Sequence, residues 1–324
     1  MEQMKNIQRR LAPELKAMND LIVDSLHTHN EIMDSIVMHY LEVKGKQIRP
    51  MLVILGAKMF GDVSDKVLCA GAALEILHNA SLIHDDIVDE TSLRRGRPTV
   101  NATMGNHVAV LVGDYFVSNA LAVGIRSGNI NVVSALSELG TVLSLGEIDQ
   151  ITTVRDHCFD TEKYFTVIRQ KTASLFMNCV RMGMEVGGAP MEYRAPMERY
   201  AELLGLCFQI KDDIFDYYPN PQIGKPTGND LREGKVTLPL LLALQKAPAV
   251  LSEEMKSLIR RDNLEKEQID LLVEFAKDNG GIDAAYAVMR NMQREAEEII
   301  APMPDSDSKE AFRAIFDYII SRDR

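Results

Sequence analysis

Apolar residues recur at three- and four-residue spacing along almost the whole chain, and strict alternation of apolar and polar residues is rare. The segment LIVDSLHTHNEIMDSIVMHYL at 21–41 and the segment RPMLVILGAKMFG at 49–61 are examples. This spacing places apolar side chains on one face of an α-helix, whereas a half-buried strand alternates with a period of two. The pattern therefore predicts an all-α protein.

Glycine-containing breaks divide this pattern into segments of helical length. The expected helix ends lie at Gly45, Gly61, Gly105, Gly128, 188–190 and 279–281. The segment Ser306-Asp307-Ser308 is expected to cap the last helix. The longest irregular stretch, 218–230, directly follows an acidic segment, which is where a mobile lid over a site is expected. No composition shift marks a linker, so one helical domain is predicted over 1–324.

Composition narrows the classes of function. A formal net charge of −11 argues against nonspecific binding of nucleic acid, which requires a basic surface. The four cysteines lack CxxC spacing and lie in apolar segments, as expected for reduced core residues. No signal segment opens the chain, and no run approaches the ~18 apolar residues of a membrane span. We therefore expect a cytoplasmic protein without a transmembrane segment, for which peripheral membrane contact stays open.

Two copies of one acidic motif are the main candidate chemistry: DDIVD at 85–89 and DDIFD at 212–216. On a helix, the first and last aspartates of each motif lie one turn apart on the same face. Carboxylates without nearby His or Cys ligands suit a hard cation such as Mg²⁺, which is commonly shared with phosphate groups. The candidate metal ligands are Asp85, Asp86, Asp89, Asp212, Asp213 and Asp216.

A single acidic motif could simply decorate a solvated helix face. Both motifs here lie in apolar surroundings, SLIHDDIVDE and CFQIKDDIFDY, where the helix should be largely buried. Burying several like charges costs many kcal/mol unless cations compensate. The pair of motifs therefore indicates a metal site for a phosphorylated small molecule.

Basic residues accompany the motifs. The segment TSLRRGRPT at 91–99 follows the first motif, and GKQIRP at 45–50 precedes it. Guanidinium groups bind phosphate oxygens bidentately, and a lysine acts as a point charge on the same group. Taken singly, Lys171, Lys225 and Lys235 would be read as structural residues.

These motifs together resemble a known family. GKQIRP, HNASLIHDDIVDETSLRRGRPT, GDY, KT, QIKDDIFDY and GKPTGNDLREGKVTLP occur in the order seen in the trans-isoprenyl diphosphate synthases, the polyprenyl synthetases. The resemblance runs from about residue 44 to residue 239. It implies a single large helical bundle around a central cavity, a homodimer, and condensation of isopentenyl diphosphate with an allylic diphosphate.

The resemblance also implies a role for each candidate residue. Three Mg²⁺ ions would bind between the two motifs, with Asp85, Asp89 and Asp212 as direct ligands and the other three aspartates assisting. The allylic diphosphate would be held by Arg94, Lys171, Lys225 and Lys235, and isopentenyl diphosphate by Lys46, Arg49, His78 and Arg95. Thr172 and Gln209 would face the reacting carbon.

Product length is, by the same resemblance, set by side chains just upstream of the first motif. Ala80 and Ser81 are small where short-chain synthases commonly carry aromatic residues, so a long product, about octaprenyl, is expected. At ~100° per residue, Ser81 shares the face of Asp85 but Ala80 does not. Leu77 is a candidate for the tunnel wall. A short-chain farnesyl or geranylgeranyl diphosphate synthase is the alternative.

Three other interpretations stay open. A class I terpene cyclase also ionises an allylic diphosphate, but it usually carries a different second metal motif and has no use for GKQIRP. A noncatalytic subunit of a heteromeric synthase typically lacks one aspartate motif. A structural bundle would pair its charges internally. The arginines at the end of the chain are not assigned to the site, because Asp323 separates them.

Overall fold

The structure is a computed structural model, and it describes residues 2–42, 45–219, 227–261 and 263–322. Helices make up almost all of its regular structure, which confirms the predicted all-α class. The first helices are α1 (Glu2–Arg10), α2 (Ala12–Leu26), α3 (Glu31–Leu41), α4 (Ile48–Lys58), α5 (Asp65–Val88), α6 (Val100–Met104), α7 (Asn106–Arg126) and α8 (Ile130–Arg155). They are followed by α9 (Thr161–Ile168), α10 (Ser174–Val186), α11 (Met191–Phe215), α12 (Asn229–Arg232), α13 (Leu238–Lys246), α14 (Ala249–Ile259), α15 (Lys266–Asp278), α16 (Gly281–Ile300) and α17 (Asp307–Ser321).

Two short elements depart from α-helix. Strands β1 (Leu93–Arg94) and β2 (Arg97–Pro98) form an antiparallel hairpin. A π-helical turn, Arg169–Ala173, joins α9 to α10. Such turns occur mostly as single turns inside α-helices and are frequent at functional sites.

Helix boundaries follow local side-chain chemistry. The helical pattern at 21–41 is interrupted by His27–Asn30, because the Asn30 side chain accepts from the backbone N–H groups of Ile32 and Met33 and starts α3. Ser306 accepts from the backbone N–H of Lys309, which confirms the predicted cap. Gly188 has a φ of +78°, a left-handed conformation that ends the α10 segment where the sequence predicted.

The chain divides into two compact units. Unit 1 comprises Met1–Thr141, Leu175–Ala201 and Pro302–Ile315, and unit 2 comprises Val142–Ser174, Glu202–Ala301 and Phe316–Arg324. The first aspartate motif and the segments 45–50 and 91–99 belong to unit 1. The second motif, Lys171 and Lys235 belong to unit 2.

Helix α5 is the centre of unit 1, where it packs against α2, α4 and α7. Small residues allow close approaches: a Cβ on Gly113 would lie 2.1 Å from the His84 ring. A Cβ on Gly183 would lie 2.2 Å from the Val53 carbonyl oxygen, so α10 and α4 also approach closely. In unit 2, α13 packs against α15 and α16.

Two helices meet a test of length and mean hydropathy for a membrane span. They are α5, with mean hydropathy 1.3, and α7, with mean hydropathy 1.7. In α5, 72% of the apolar stretch is buried inside the protein, as in a core helix. In α7 the share is 39%, because Val110, Leu111, Leu121 and Ile125 are exposed on its surface.

Candidate functional site

The first aspartate motif occupies the C-terminal end of α5. The Asp89 N–H donates to the Asp85 carbonyl oxygen at 2.8 Å, so these two residues lie one helical turn apart. Asp85 is half-buried and Asp89 is exposed, whereas Asp86 is buried. The motif thus presents two of its three carboxylates to solvent.

Asp86 is engaged by the hairpin that follows it. Arg94 donates to Asp86 Oδ1 through Nε at 2.8 Å and through Nη2 at 2.7 Å. Asn101 donates to the Asp86 carbonyl oxygen at 3.1 Å. Burial raises the pKa of Asp86, while the Arg94 guanidinium acts in the opposite direction. Asp86 therefore fixes Arg94 beside the motif.

The hairpin turn places Arg95 apart from Arg94. Arg95 and Gly96 both have left-handed φ angles, +53° and +76°, as a two-residue hairpin turn requires. A Cβ on Gly45 would lie 3.1 Å from Arg95 Nη2, so this guanidinium packs directly on Gly45. The segment 45–50 and the hairpin are thereby brought together.

Glu75 lies among the residues assigned to isopentenyl diphosphate. Its carboxylate is buried, and Oε2 has no hydrogen-bond partner among the described residues. Burial raises its pKa, although Arg49 and Arg95 both act to lower it. A cavity of about 60 Å³ adjoins Glu75, Arg95 and Gly45. The sequence analysis missed Glu75, whose signal is an acidic residue inside the apolar run GAALEILHN.

His78 and Arg49, also in unit 1, belong to the same set of residues assigned to isopentenyl diphosphate. Burial lowers the pKa of His78 well below its usual range, and the nearby guanidiniums of Arg49 and Arg95 act in the same direction. His78 is therefore neutral at pH 7. The Arg49 guanidinium lies over the Phe176 ring at 5.3 Å. Lys46 is exposed, and its carbonyl oxygen accepts from Gln8 at 2.9 Å.

The residues assigned to product length differ in exposure. Ala80 is 0% exposed and Leu77 is buried, so both belong to the packed interior around α5. Ser81 is half-buried, and its hydroxyl donates to the His78 carbonyl oxygen at 2.8 Å. Of these three residues, Ser81 is thus the only one that is partly exposed.

The second aspartate motif lies at the C-terminal end of α11, in unit 2. The Asp212 side chain is 41% exposed, whereas Asp213 is buried. Asp216 accepts from the backbone N–H groups of Asn229 and Asp230, each at 3.0 Å, and so caps α12. As in the first motif, one aspartate, Asp213, is buried, while another, Asp212, is partly exposed and accepts a hydrogen bond from Arg322 at 2.6 Å.

A chain of hydrogen bonds links Asp213 to Thr172. Tyr164 donates to Asp213 Oδ2 at 2.5 Å, and Gln209 Nε2 donates to Asp213 Oδ1 at 2.8 Å. The Thr172 hydroxyl donates to Gln209 Oε1 at 2.8 Å. Burial raises the pKa of Asp213 to about 7. The network fixes the orientation of the Gln209 amide, and the sequence analysis missed its anchor, Tyr164.

Two of the lysines assigned to the allylic diphosphate, Lys171 and Lys235, are paired with acidic side chains. Lys171, in the π-helical turn, forms an ion pair with Glu147 and donates to Gln150 Oε1 at 3.0 Å. Lys235 donates to Glu233 at 2.6 Å. Lys225 lies outside the described residues. Neither Glu147 nor Gln150 carried a motif that would have identified it from sequence.

The donor set suits a hard divalent cation. In unit 1 the carboxylates of half-buried Asp85 and exposed Asp89, and in unit 2 the partly exposed carboxylate of Asp212, offer oxygen ligands only, as Mg²⁺ prefers. Within the described residues, no group of three His, Cys, Asp or Glu side chains is arranged to hold a metal by itself. Mg²⁺ is usually bound through one or two carboxylates plus substrate phosphates, so these residues fit it.

Comparisons with known proteins agree with this chemistry. The family model for polyprenyl synthetase matches residues 30–276. The octaprenyl diphosphate synthase of Escherichia coli is 30% identical over 325 aligned positions, which cover 99% of each chain. The crystal structure of a Rhodobacter capsulatus decaprenyl diphosphate synthase superposes with a TM-score of 0.92 at 31% identity over 99% of each chain. A Bacteroides thetaiotaomicron geranylgeranyl pyrophosphate synthase has a TM-score of 0.85 and 35% identity, over 99% of this chain and 100% of its own.

Proposed function

Because the chain belongs to the polyprenyl synthetase family and is a prenyltransferase, we propose that it joins isopentenyl diphosphate to an allylic diphosphate and releases a long trans-polyprenyl diphosphate. One observation carries the site assignment. In each aspartate motif the residues assigned as direct metal ligands, Asp85, Asp89 and Asp212, are at least partly exposed, while the neighbouring Asp86 or Asp213 is buried and hydrogen-bonded. The motifs are thus built to present selected carboxylates.

Asp85, Asp89 and Asp212 hold Mg²⁺ in this proposal, with three ions for each active site. When bound, Mg²⁺ neutralises charge on the leaving diphosphate. Asp86, Asp213 and Asp216 assist these ligands: Asp86 fixes Arg94, Asp213 fixes Gln209, and Asp216 fixes the backbone at the start of α12. In that role Asp86 holds Arg94 at 2.8 Å, ready to bind the allylic diphosphate.

The remaining allylic contacts come from Lys171, Lys225 and Lys235. Lys171 and Lys235 already pair with Glu147 and Glu233. Each ammonium has three donors, so a lysine can keep its acidic partner while it donates to a phosphate oxygen. These pairs hold the lysines in place before substrate arrives.

Isopentenyl diphosphate binds Lys46, Arg49, His78 and Arg95 in this proposal. Neutral His78 contributes one N–H donor and no added charge. Glu75 lies buried beside Arg49 and Arg95, whose charges act to lower its pKa. The bound group therefore meets a small set of fixed donors.

The reaction begins with cleavage of the allylic carbon–oxygen bond, whose electron pair leaves with the diphosphate. The terminal alkene carbon of isopentenyl diphosphate then forms the new carbon–carbon bond, and loss of a proton restores a double bond. The released diphosphate accepts that proton. Thr172 and Gln209, whose orientations are fixed through Asp213, direct their oxygen dipoles at the cationic carbon.

Product length is proposed to be about eight isoprene units. Ser81, one helical turn before Asp85, is half-buried and carries a small side chain, which supports a tunnel wide enough for a long product. Each added unit buries about five CH₂-sized groups, worth about 4 kcal/mol, so an open tunnel retains a growing chain. The 35% identity to a geranylgeranyl pyrophosphate synthase keeps a twenty-carbon product as the alternative.

The assembly is proposed to be a cytoplasmic homodimer, with each chain acting as one catalytic domain. Exposed apolar residues Val110, Leu111, Leu121 and Ile125 recur along one face of α7. An apolar stripe of this kind marks an interaction surface. Contact with a membrane is proposed only for release of the product.

The test is incubation of the purified protein with Mg²⁺, labelled isopentenyl diphosphate and, in turn, dimethylallyl, geranyl, farnesyl and geranylgeranyl diphosphate. Products of thirty carbons or more, sized after dephosphorylation, support the proposal. Products that stop at fifteen or twenty carbons support the short-chain alternative. If the chain alone incorporates no label with any primer, but incorporation appears when a partner chain is added, the protein is a noncatalytic subunit.

Variants assign the roles in the same assay. Asp85→Ala should abolish turnover, because it removes a metal ligand. Arg95→Ala should mainly raise the concentration of isopentenyl diphosphate needed for half-maximal rate. Full turnover by Asp85→Ala would refute the metal assignment.

A further inference from the structure

Arg322 follows α17 and inserts its guanidinium against the second aspartate motif. Its side chain is 5% exposed. Nη2 donates to Asp212 Oδ1 at 2.6 Å and to the Phe208 carbonyl oxygen at 3.1 Å. This arginine therefore contacts the motif through the very carboxylate that is assigned as a direct metal ligand.

Aromatic rings enclose the guanidinium. It lies over the Phe208 ring at 4.4 Å and the Phe215 ring at 5.3 Å. A planar guanidinium can stack on aromatic faces while it donates in its own plane, which an ammonium cannot do. The two rings thus restrict the directions in which Arg322 donates.

The backbone that carries Arg322 is held separately. Buried Lys211 donates to the Ile320 carbonyl oxygen and to the Tyr286 hydroxyl, each at 3.0 Å. Gln293 donates to Asp317 at 2.7 Å. Since these contacts anchor the segment without Arg322, its bond to Asp212 is not required to hold the segment in place.

We propose that Arg322 is a positioning residue for metal binding: it holds Oδ1 of Asp212 and so orients the carboxylate toward a divalent cation. A freely rotating carboxylate would lose side-chain entropy on binding the ion. Hydrogen-bond partners behind metal ligands commonly contribute 10- to 100-fold in metal affinity. The inference rests on the proposed role of Asp212 as a ligand.

The test measures Mg²⁺ binding rather than turnover. The thermal unfolding midpoint is followed during titration with Mg²⁺ at a fixed concentration of inorganic diphosphate, which gives an apparent Kd. Arg322→Met keeps an apolar chain against the rings but removes the donors. Arg260→Met is the matched control, because Arg260 also donates to a carboxylate, Glu253, at 2.9 Å and lies over a ring, Phe159, at 5.5 Å.

The expected result is a 10- to 100-fold rise in apparent Kd for Arg322→Met and none for Arg260→Met. In an Asp212→Asn background, Arg322→Met should cause no further rise. An unchanged or lower Kd for Arg322→Met overturns the inference. If Arg322→Met is unfolded without Mg²⁺, the apparent Kd of Arg322→Lys is measured in its place: a rise supports the inference, and an unchanged or lower value overturns it.

The same measurements separate the role of Asp212 as a ligand from the positioning role of Arg322. If Asp212→Asn binds Mg²⁺ and diphosphate as the unaltered chain does, Asp212 is not a ligand and the proposed function is revised. If Asp212→Asn weakens binding and Arg322→Met does not, only the positioning role is wrong. A purely structural Arg322 would lower the unfolding midpoint without Mg²⁺ and leave the apparent Kd unchanged.

Discussion

The hydroxyl of Tyr164 is the strongest single donor to the buried carboxylate of Asp213, and its removal is a defined perturbation. Tyr164→Phe deletes one oxygen that donates to Asp213 Oδ2 at 2.5 Å and preserves the ring. Asp213 then keeps its bond from Gln209 at 2.8 Å. One oxygen of a buried, charged group loses a donor.

The expected cost follows from that loss. A hydrogen bond to a charged group contributes about 1.5–3 kcal/mol, and a buried acceptor without its donor forfeits it. We expect the free energy of unfolding to fall by about 2 kcal/mol. At about 2 °C for each kcal/mol, the low end of the range because the chain is long, the thermal midpoint falls by about 4 °C.

The assay is urea and thermal unfolding at pH 8.5 with a chelator present. Burial raises the pKa of Asp213 to about 7, so the carboxylate is ionised at this pH. Tyr218→Phe is the control, since the Tyr218 residue is 46% exposed. In an Asp213→Asn background the deleted bond is no longer to a charge, so Tyr164→Phe should cost only about 1 kcal/mol.

Two results would refute this reasoning. The free energy of unfolding of Tyr164→Phe could lie within about 0.5 kcal/mol of that of the unaltered chain, the range of ordinary surface substitutions. Alternatively, Tyr164→Phe could lower the free energy of unfolding as much in the Asp213→Asn background as it does in the otherwise unaltered chain. Either result would mean that the Tyr164 hydroxyl does not stabilise a buried negative charge.

Three further predictions concern unit 1. Ser81→Phe should shorten the product and leave the thermal unfolding midpoint unchanged. Ala80→Phe, at a fully buried position, should shorten the product and also lower the stability by about 1–3 kcal/mol. Chromatography measures product length and thermal unfolding measures stability, and an unchanged product from Ser81→Phe would contradict a tunnel past that residue. Burial raises the pKa of Glu75, so folding favours its protonated form, and the stability of the unaltered chain should fall relative to Glu75→Gln as pH rises from below 4.5 through the folded-state pKa. Urea unfolding at several pH values checks this, and a constant difference would contradict it. Leu111→Asp should yield monomers by light scattering, because it places a charge on the exposed stripe of α7; an unchanged dimer would exclude that stripe as the interface.

The fold class and both aspartate motifs could be read from sequence because each depends on local order. The three- and four-residue spacing of apolar residues and the glycine-containing breaks predict the helices. The spacing of Asp85 and Asp89 alone places them on one helix face. Which aspartates of each motif are buried and which are exposed could not be predicted in this way. It depends on Arg94, which reaches Asp86 through a hairpin, and on Tyr164, which is 49 residues from Asp213.

Partners at long sequence separation account for the other omissions. Arg322 contacts Asp212 across 110 residues, and Lys171 pairs with Glu147 through a π-helical turn that no apolar period signals. Glu75 looked like one acidic residue in a helix. Its importance comes from Arg49 and Arg95, which lie near it only in the folded unit.

The π-helical turn at Arg169–Ala173 changes how this region should be aligned and redesigned. A π turn closes its hydrogen bonds over one more residue than an α turn, so the helical run at 161–186 contains an inserted position. A relative with a regular α-helix here would lack one residue, and a one-residue gap inside a helix would then be the correct alignment. Forcing an unbroken register would compare Lys171 and Thr172 with side chains that point about 100° away.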